Sequence, residues 1–394
     1  MWKLVCPYCF ENFPAHELAF RCINPNPARC APEEDRPLAN YRSLATAPRM
    51  PRVFKPYKQL WGIPSAAICK CGTKTNKLVC PRCHNELPSQ FGQTPSRTIA
   101  LVGSKEAGKS HYIAVLIHEL RNRVGRNFNA ALNELDEQTI QRYKNDFRRY
   151  IYDQHEVIPG TVSARAQISV RYPMVYRLSL GQGRSWWPNG RRITSLVFFD
   201  TAGEDLDNID VMSTETKYLA NSDGIIFLLD PLQISSVRQL LGNPSHLPQE
   251  NTQPHEIIGR VERLIRTARQ MKPSAKIKTP VALAFSKLDE ILRLIDPGSP
   301  VHHDSNHAGY FDQADSDLVS ESMKSCVQDW IGDGLELFMS HNFENYKYFG
   351  LSALGSAPDP DGRLPRGVAP RRVEDPLLWI FNRLKIVTGK KEAK

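Results

Sequence analysis

Two sets of residues in this 394-residue chain have the types and spacing to do chemistry. The first is Gly103-Ser104-Lys105-Glu106-Ala107-Gly108-Lys109-Ser110, a GxxxxGKS loop followed by His111. Glycines at both ends of such a loop let backbone N–H groups turn inward around phosphates at a positive helix end. Lys109 would set a fixed cation between the β- and γ-phosphates, and the Ser110 hydroxyl would ligate magnesium. The second set is eight of the nine cysteines, all before this loop and in four close pairs: Cys6 and Cys9, Cys22 and Cys30, Cys69 and Cys71, Cys80 and Cys83. In Cys6-Pro7-Tyr8-Cys9 and Cys80-Pro81-Arg82-Cys83 two intervening residues let a tight turn aim both sulfurs at one ion, as in zinc knuckles and ribbons. Eight thiolates complete two tetrahedral sites. The sequential grouping is expected: Cys6, Cys9, Cys22 and Cys30 in one, Cys69, Cys71, Cys80 and Cys83 in the other. His16 is an alternative ligand for the first, His84 for the second. The zinc is expected to be structural, supplying much of the folding free energy of a segment with few core residues.

The nucleotide loop must be carried by a strand and followed by a helix. Thr98 to Val102 is a short apolar run suited to a buried parallel strand, and His111 to Arg121 reads as helix. Ser195 to Phe199 is a second apolar strand, ending in Asp200-Thr201-Ala202-Gly203-Glu204-Asp205. An aspartate there can hold magnesium through water, and Gly203 allows an N–H to approach a γ-phosphate. Gly224 to Leu229 is a third strand, ending at Asp230-Pro231. A fourth, Pro280 to Phe285, runs into Ser286-Lys287-Leu288-Asp289. The Asp289 carboxylate can accept two hydrogen bonds from the guanine ring N–H and exocyclic amine, a donor pair adenine lacks. The Lys287 stem can lie along the base plane. A fifth strand, Tyr346 to Leu351, leads to Ser352-Ala353-Leu354, whose backbone can meet the guanine oxygen. A closing helix starts at Asp375, a cap followed by proline, with Leu377, Leu378, Phe381 and Leu384 as its buried stripe.

The ordered set GxxxxGKS, DTAG, SKLD and SAL, each after a strand, resembles the translation-factor and Ras-like class of P-loop GTPases. With its N-terminal cysteines, the chain also resembles a bacterial group of zinc-ribbon-bearing GTPases related to the double-GTPase families, associated with multi-gene conflict or signalling cassettes. The resemblance implies an α/β fold, a mostly parallel P-loop NTPase-type sheet of five or six strands with helices on both faces. It also implies two switch segments. The second is expected over Asp200 to about Leu219; the first contains a magnesium-binding threonine, Thr161, with Thr139 as the alternative inside a helical pattern from Leu132 to Ile151. Two positions depart from the Ras-like pattern. Lys105 stands where glycine is common. Glu204 stands where a water-orienting glutamine is often found, so the carboxylate acts as base or leaves hydrolysis slow and partner-dependent.

Residues 1–90 are therefore expected to form a zinc-binding module and 96–390 the GTPase domain. The expected function is magnesium-dependent GTP hydrolysis working as a conformational switch. The expected catalytic residues are Lys109, Thr161, Gly203 and Glu204, with protein partners docking on the switches and the zinc module. The alternatives are an ATPase, or a zinc-bearing adaptor or nucleic-acid-binding protein using nucleotide structurally. A 41% hydrophobic and 24% charged composition is that of a globular protein with a real core. No apolar run is long enough to span a bilayer and the first ten residues lack a signal-peptide layout, so a cytoplasmic location is expected. The net charge of +9 is scattered and gives little reason to invoke nucleic acid. Ala31 to Pro64 reads as an irregular connector pinned by Phe54 and Trp61, His302 to His307 as a solvent loop, and Cys326 as a core residue.

Overall fold

The computed structural model describes residues 3–56, 64–89, 91–92, 96–104, 106–160, 173–181, 191–198, 216–242, 253–305 and 307–390. A seven-stranded sheet organises the chain: β1 (Ser96–Gly103), β2 (Ala130–Glu134), β3 (Met174–Gly181), β4 (Arg191–Phe198), β5 (Gly224–Leu229), β6 (Val281–Phe285) and β7 (Tyr346–Gly350). Its order is β2-β3-β4-β1-β5-β6-β7. The pairings from β4 through β7 are parallel, while β3 lies antiparallel to both β2 and β4. The expected mostly parallel sheet is present with one more strand than foreseen, β2. That strand falls where the helical pattern from Leu132 was expected; the helix begins only at α2 (Glu137–Arg142), capped by Asp136, and continues as a π-helix over Tyr143–Gln154.

The parallel strands are buried on both faces, so alternate residues feed two cores. Ala100, Val102, Ile225 and Phe227 face one side, against Ile258, Val261 and Ile265 of α3 (Pro254–Arg269) and Val319, Met323 and Val327 of α4 (Gln313–Ile331). Ile99, Leu101, Ile226 and Leu228 face the other, against α1 (Lys109–Arg121) and Leu377, Leu378, Ile380 and Phe381 of the closing helix, Asp375–Arg383. Helices thus cover both faces. Register matches Gly103 with Leu228, Leu229 with Phe285, and Phe285 with Gly350. The carboxyl ends of β1, β5, β6 and β7 therefore share one edge, where parallel α/β sheets bind ligands.

The cysteine-bearing segment lies against the first face, its Cys6, Tyr8, Phe10, Phe13 and Phe20 continuous with that core. It holds short hairpins and a three-stranded sheet in which Ala19–Arg21 pairs with Val53–Phe54 and Leu78–Val79. The stretch from Ala31 is not an irregular connector throughout. Asp35 caps a helix over Arg36–Arg42, and Phe54 pairs with Phe20 as anticipated; Trp61 lies outside the described residues. Among the described residues no helix is long and apolar enough to cross a membrane.

Candidate functional site

The described part of the loop after β1 has the two backbone features its glycines predict. A Cβ on Gly103 would stand 2.5 Å from the Leu228 carbonyl oxygen, so only glycine lets β1 end this close to β5. Gly108 has φ +84° and is the residue from which α1 starts. The Lys109 Nζ donates to the carbonyl oxygens of Gly103 and Ser104, both at 2.9 Å, which holds the ammonium inside the turn. Lys109 and Ser110 are buried, and Glu106 sits at φ +63°. That left-handed conformation is uncommon for a residue with a side chain and is held by the surrounding loop.

Next to this loop opens a cavity of about 680 Å³, a size that suits a nucleotide. Glu106, Ala107, Gly108 and His111 line it from the β1 side, Ser286, Lys287 and Asp289 from the end of β6, and Ser352, Ala353 and Leu354 from the end of β7. The three motifs, spread over some 250 residues of sequence from Glu106 to Leu354, thus converge on one space. Main-chain pairing fixes this: Leu351 N–H donates to the Phe285 carbonyl at 2.9 Å and Leu288 N–H to the Leu351 carbonyl at 3.0 Å. Lys287, at φ +52°, caps the short helix Leu288–Ile291, whose first turn carries Asp289.

One contributor has no role in the motif reading. Asp230, at the tip of β5, is fully buried and receives the Lys287 Nζ at 2.6 Å on one oxygen and the Leu232 N–H at 3.0 Å on the other. It anchors the ammonium so that the Lys287 stem keeps one position. The available signal was an acidic residue ending a wholly apolar strand, the same signal that singled out Asp200. His111 is held largely neutral: burial first, then the Lys287 charge, bring it down to about 4. Its Nε2 accepts the Ile158 N–H at 3.0 Å. Lys105, Thr161, Asp200, Gly203 and Glu204 lie outside the described residues.

The cysteines form two clusters, but not in the expected grouping. Cys6, Cys9, Cys80 and Cys83 form one, Cys22, Cys30, Cys69 and Cys71 the other, the four sulfurs of each within 4.8 Å of one another. Antiparallel pairing of Ala19–Arg21 with Leu78–Val79 explains the crossing, because it sends Cys22 and Cys80 to opposite ends of the ribbon. Cys80 then meets the hairpin that bears Cys6 and Cys9, and Cys22 the hairpin that bears Cys69 and Cys71. Cys6-Pro7-Tyr8-Cys9 and Cys80-Pro81-Arg82-Cys83 are matching turns. The N–H of the following residue, Phe10 or His84, donates to the first cysteine's carbonyl at 3.0 Å in each.

Both clusters fit zinc. Tetrahedral coordination at the usual Zn–S distance of about 2.3 Å needs sulfurs about 3.8 Å apart. Cys6–Cys83 and Cys9–Cys80 are 3.8 Å apart, Cys22–Cys71 3.6 Å and Cys30–Cys69 3.9 Å. These are far beyond a disulfide bond, and all nine cysteines are free. Donors already face the sulfurs: Tyr8 N–H to Cys6, Arg82 N–H to Cys80, Asn24 N–H to Cys22 and the Asn85 amide to Cys83. Each would stabilise a thiolate. Neither histidine alternative is a cluster member; His84 Nδ1 meets Asp35 at 2.7 Å, part of a buried group with Arg21.

In the histidine loop His303 and Asp304 are exposed as a solvent loop requires, but His307 is not. His307 is buried, its Nε2 3.2 Å from Asp375 and its Nδ1 accepting the Asp312 N–H. Cys326 is partly buried on α4 beside buried Met323, Val327 and Trp330.

A model of the Double-GTPase 2 family matches residues 97–357. A relative in Mycolicibacterium smegmatis, "Putative ESX-1 scaffolding and assembly protein SaeC", is 26% identical over 319 residues, covering 77% of this chain and 78% of that protein. Solved structures with a similar chain path include the signal recognition particle receptor SRβ–GTP/SRX complex from Chaetomium thermophilum. It is 15% identical, covers 67% of this chain and 94% of that one, and gives a TM-score of 0.28. The GTP-bound Ski7 GTPase-like domain of S. cerevisiae is 11% identical over 68% of this chain and 47% of that one, with a TM-score of 0.30. At such scores the likeness carries no functional argument. The family match runs from β1 past the Ser352–Leu354 segment, over well more than half of the sequence: the chain belongs to the Double-GTPase 2 family, and its sheet domain is GTPase-like.

Proposed function

We propose that this protein binds GTP with magnesium, hydrolyses it to GDP and phosphate, and works as a conformational switch. The convergence of Gly108, Asp289 and Ser352–Leu354 on one cavity carries this reading. Phosphates would lie against the loop amides, with Lys109 leaving its carbonyl partners for the β- and γ-phosphates. Asp289 would take the guanine N–H pair, and Ser110, Thr161 and Asp200 would surround magnesium. Gly203 and Glu204 would face the γ-phosphate and the attacking water.

Competition between GTP and ATP, with phosphate release, tests this. Wild type should prefer GTP, Asp289→Asn should lose at least tenfold of that preference, and Lys109→Ala should lose binding of both nucleotides. An unaltered purine preference in Asp289→Asn would overturn the guanine reading. The two cysteine clusters would hold structural zinc and keep a surface ready for protein partners. The relative's name, which speaks of scaffolding and assembly, supports partners of that kind rather than a small-molecule substrate beyond the nucleotide. A cassette of conflict or signalling proteins is one setting for such a switch.

A further inference from the structure

Residues 155–158, a few positions before Thr161 in the sequence, are fastened on two sides. On one side the Val157 N–H donates to the Gly362 carbonyl at 2.8 Å, and the Leu364 N–H to the His155 carbonyl at 2.7 Å. Glu156 and Arg363 form a bridge between those bonds. The same C-terminal loop lines the cavity just before, at Ser356 to Pro360. On the other side the Ile158 N–H is bound by His111 Nε2 at 3.0 Å, one residue beyond the GKS of the P-loop. His111 and Val157 both line the cavity.

An imidazole nitrogen that accepts an amide proton carries none itself, so this histidine is the Nδ1–H tautomer. A main-chain N–H entering a side-chain acceptor has its direction set by that side chain. We propose that His111 is a positioning residue. Its imidazole fastens the His155–Ile158 stretch to the P-loop helix and so sets how the chain enters the first switch at Thr161. The inference rests on the guanine-nucleotide reading of the cavity. It gives His111 a role different from that of a wall of the base pocket. A wall residue serves GDP and GTP alike, whereas the placement of a switch is felt through the γ-phosphate, which only the triphosphate has.

Two measurements on the full chain separate these roles. The first is amide hydrogen exchange of the 155–160 segment without nucleotide. The second is the affinity for GTPγS and for GDP with magnesium. In His111→Leu, exchange at Ile158 should quicken about fivefold or more, the scale of one lost hydrogen bond. The affinity for GTPγS should fall several-fold further than that for GDP. His111→Gln, whose amide oxygen can reach the position of Nε2, should restore both toward wild type. Should His111→Leu not fold, His111→Asn, polar but too short to reach the amide, takes its place. Unchanged exchange, or equal loss for the two nucleotides, overturns the positioning role while leaving the GTPase reading intact. A wild-type chain that binds neither nucleotide removes the GTPase reading and this inference together.

Discussion

The ring of Phe10, which follows the first cysteine pair, packs on Tyr218 with centroids 4.8 Å apart, and the Tyr218 hydroxyl is tied to β1. That hydroxyl donates to the Ile99 carbonyl at 2.7 Å and accepts the Leu101 N–H at 3.1 Å. Tyr8 reaches Asp136, the cap of α2, at 2.8 Å, and Asn221 binds the Phe10 carbonyl at 3.0 Å. The cysteine turn is thus seated on the strand that ends in the P-loop. It does not hang beside the GTPase-like domain.

Phe10→Ala should therefore destabilise the whole chain rather than the N-terminal residues alone. The residue is fully buried, so the expected cost is about 3–5 kcal/mol. Denaturant unfolding followed by tryptophan fluorescence and by metal release should show one shared transition that moves to lower denaturant. Two separate transitions, with only metal release shifted, would contradict a common core.

The crossed grouping of the cysteines makes a prediction about metal counts. Wild type should bind two zinc ions. The double variant Cys9→Ser/Cys80→Ser breaks a single cluster, so it should keep one. Under the sequential grouping the same pair of changes would damage both sites. Zinc measured by mass spectrometry or chelator titration decides this; a double variant with no zinc would restore the sequential arrangement.

Much of the site was readable in the sequence because phosphate and purine recognition rely on short stretches next to strand ends. Gly103 to Ser110, Ser286 to Asp289 and Ser352 to Leu354 needed only the strand in front of each to be recognised. The parts missed depend on pairing over distance. Cys22 reaches Cys71 through a ribbon whose register no local pattern declares, although the likeness of the two Cys-Pro-x-Cys turns hinted that they share a site. β2 was hidden because its residues, Ala130-Ala131-Leu132-Asn133-Glu134, do not alternate, and Leu132 fits the helical period that continues at Tyr143 and Phe147. His307 looked like a loop residue, since its partner Asp375 lies 68 positions away.

Arg372 is the largest of these distant anchors. It is fully buried, with its guanidinium on Asp315 at 2.8 Å and on Asp375 at 2.9 Å. Its neighbour Arg371 pairs main chain to main chain with Ser352 at the cavity. Removing the cation leaves buried Asp375 with His307 as its remaining ion-pair partner and takes donors from Asp315 and the His303 and Pro300 carbonyls, so Arg372→Leu should cost about 3–5 kcal/mol. Unfolding by denaturant measures it; a loss below about 1 kcal/mol would mean that water reaches Asp375. The variant should also weaken guanine-nucleotide binding, because the segment behind Ser352 loses its support.

Asp230 gives a sharper test of the base side. Asp230→Ala should free the Lys287 ammonium and leave the Leu232 N–H without its acceptor. GTP and GDP affinity should fall together by about tenfold, the worth of a charged hydrogen bond. If Lys287→Met lowers affinity and Asp230→Ala does not, the carboxylate has no part in placing that side chain.

The last prediction concerns acid. Glu336, on the helix Gly334–Asn342, receives Lys324 from α4 and the hydroxyls of Tyr346 and Tyr348 from β7, all at 2.9 Å. Burial alone would raise its carboxyl pKa, but these three donors outweigh that and hold it below the ordinary glutamate value. A carboxyl with a lowered pKa in the folded state adds stability that is complete above the unfolded value of about 4.3. That stability is lost as pH falls through the folded value, where the proton returns and the three donors lose their charged acceptor. Glu336→Gln removes the titration. Wild type should therefore be the more stable of the two at neutral pH, and the gap should narrow progressively below about pH 4.3. Denaturation midpoints for the pair across that range measure the gap. A difference that stays constant with pH would mean that Glu336 contributes by packing alone, and that the first half of β7, Tyr346 to Tyr348, owes nothing to its charge.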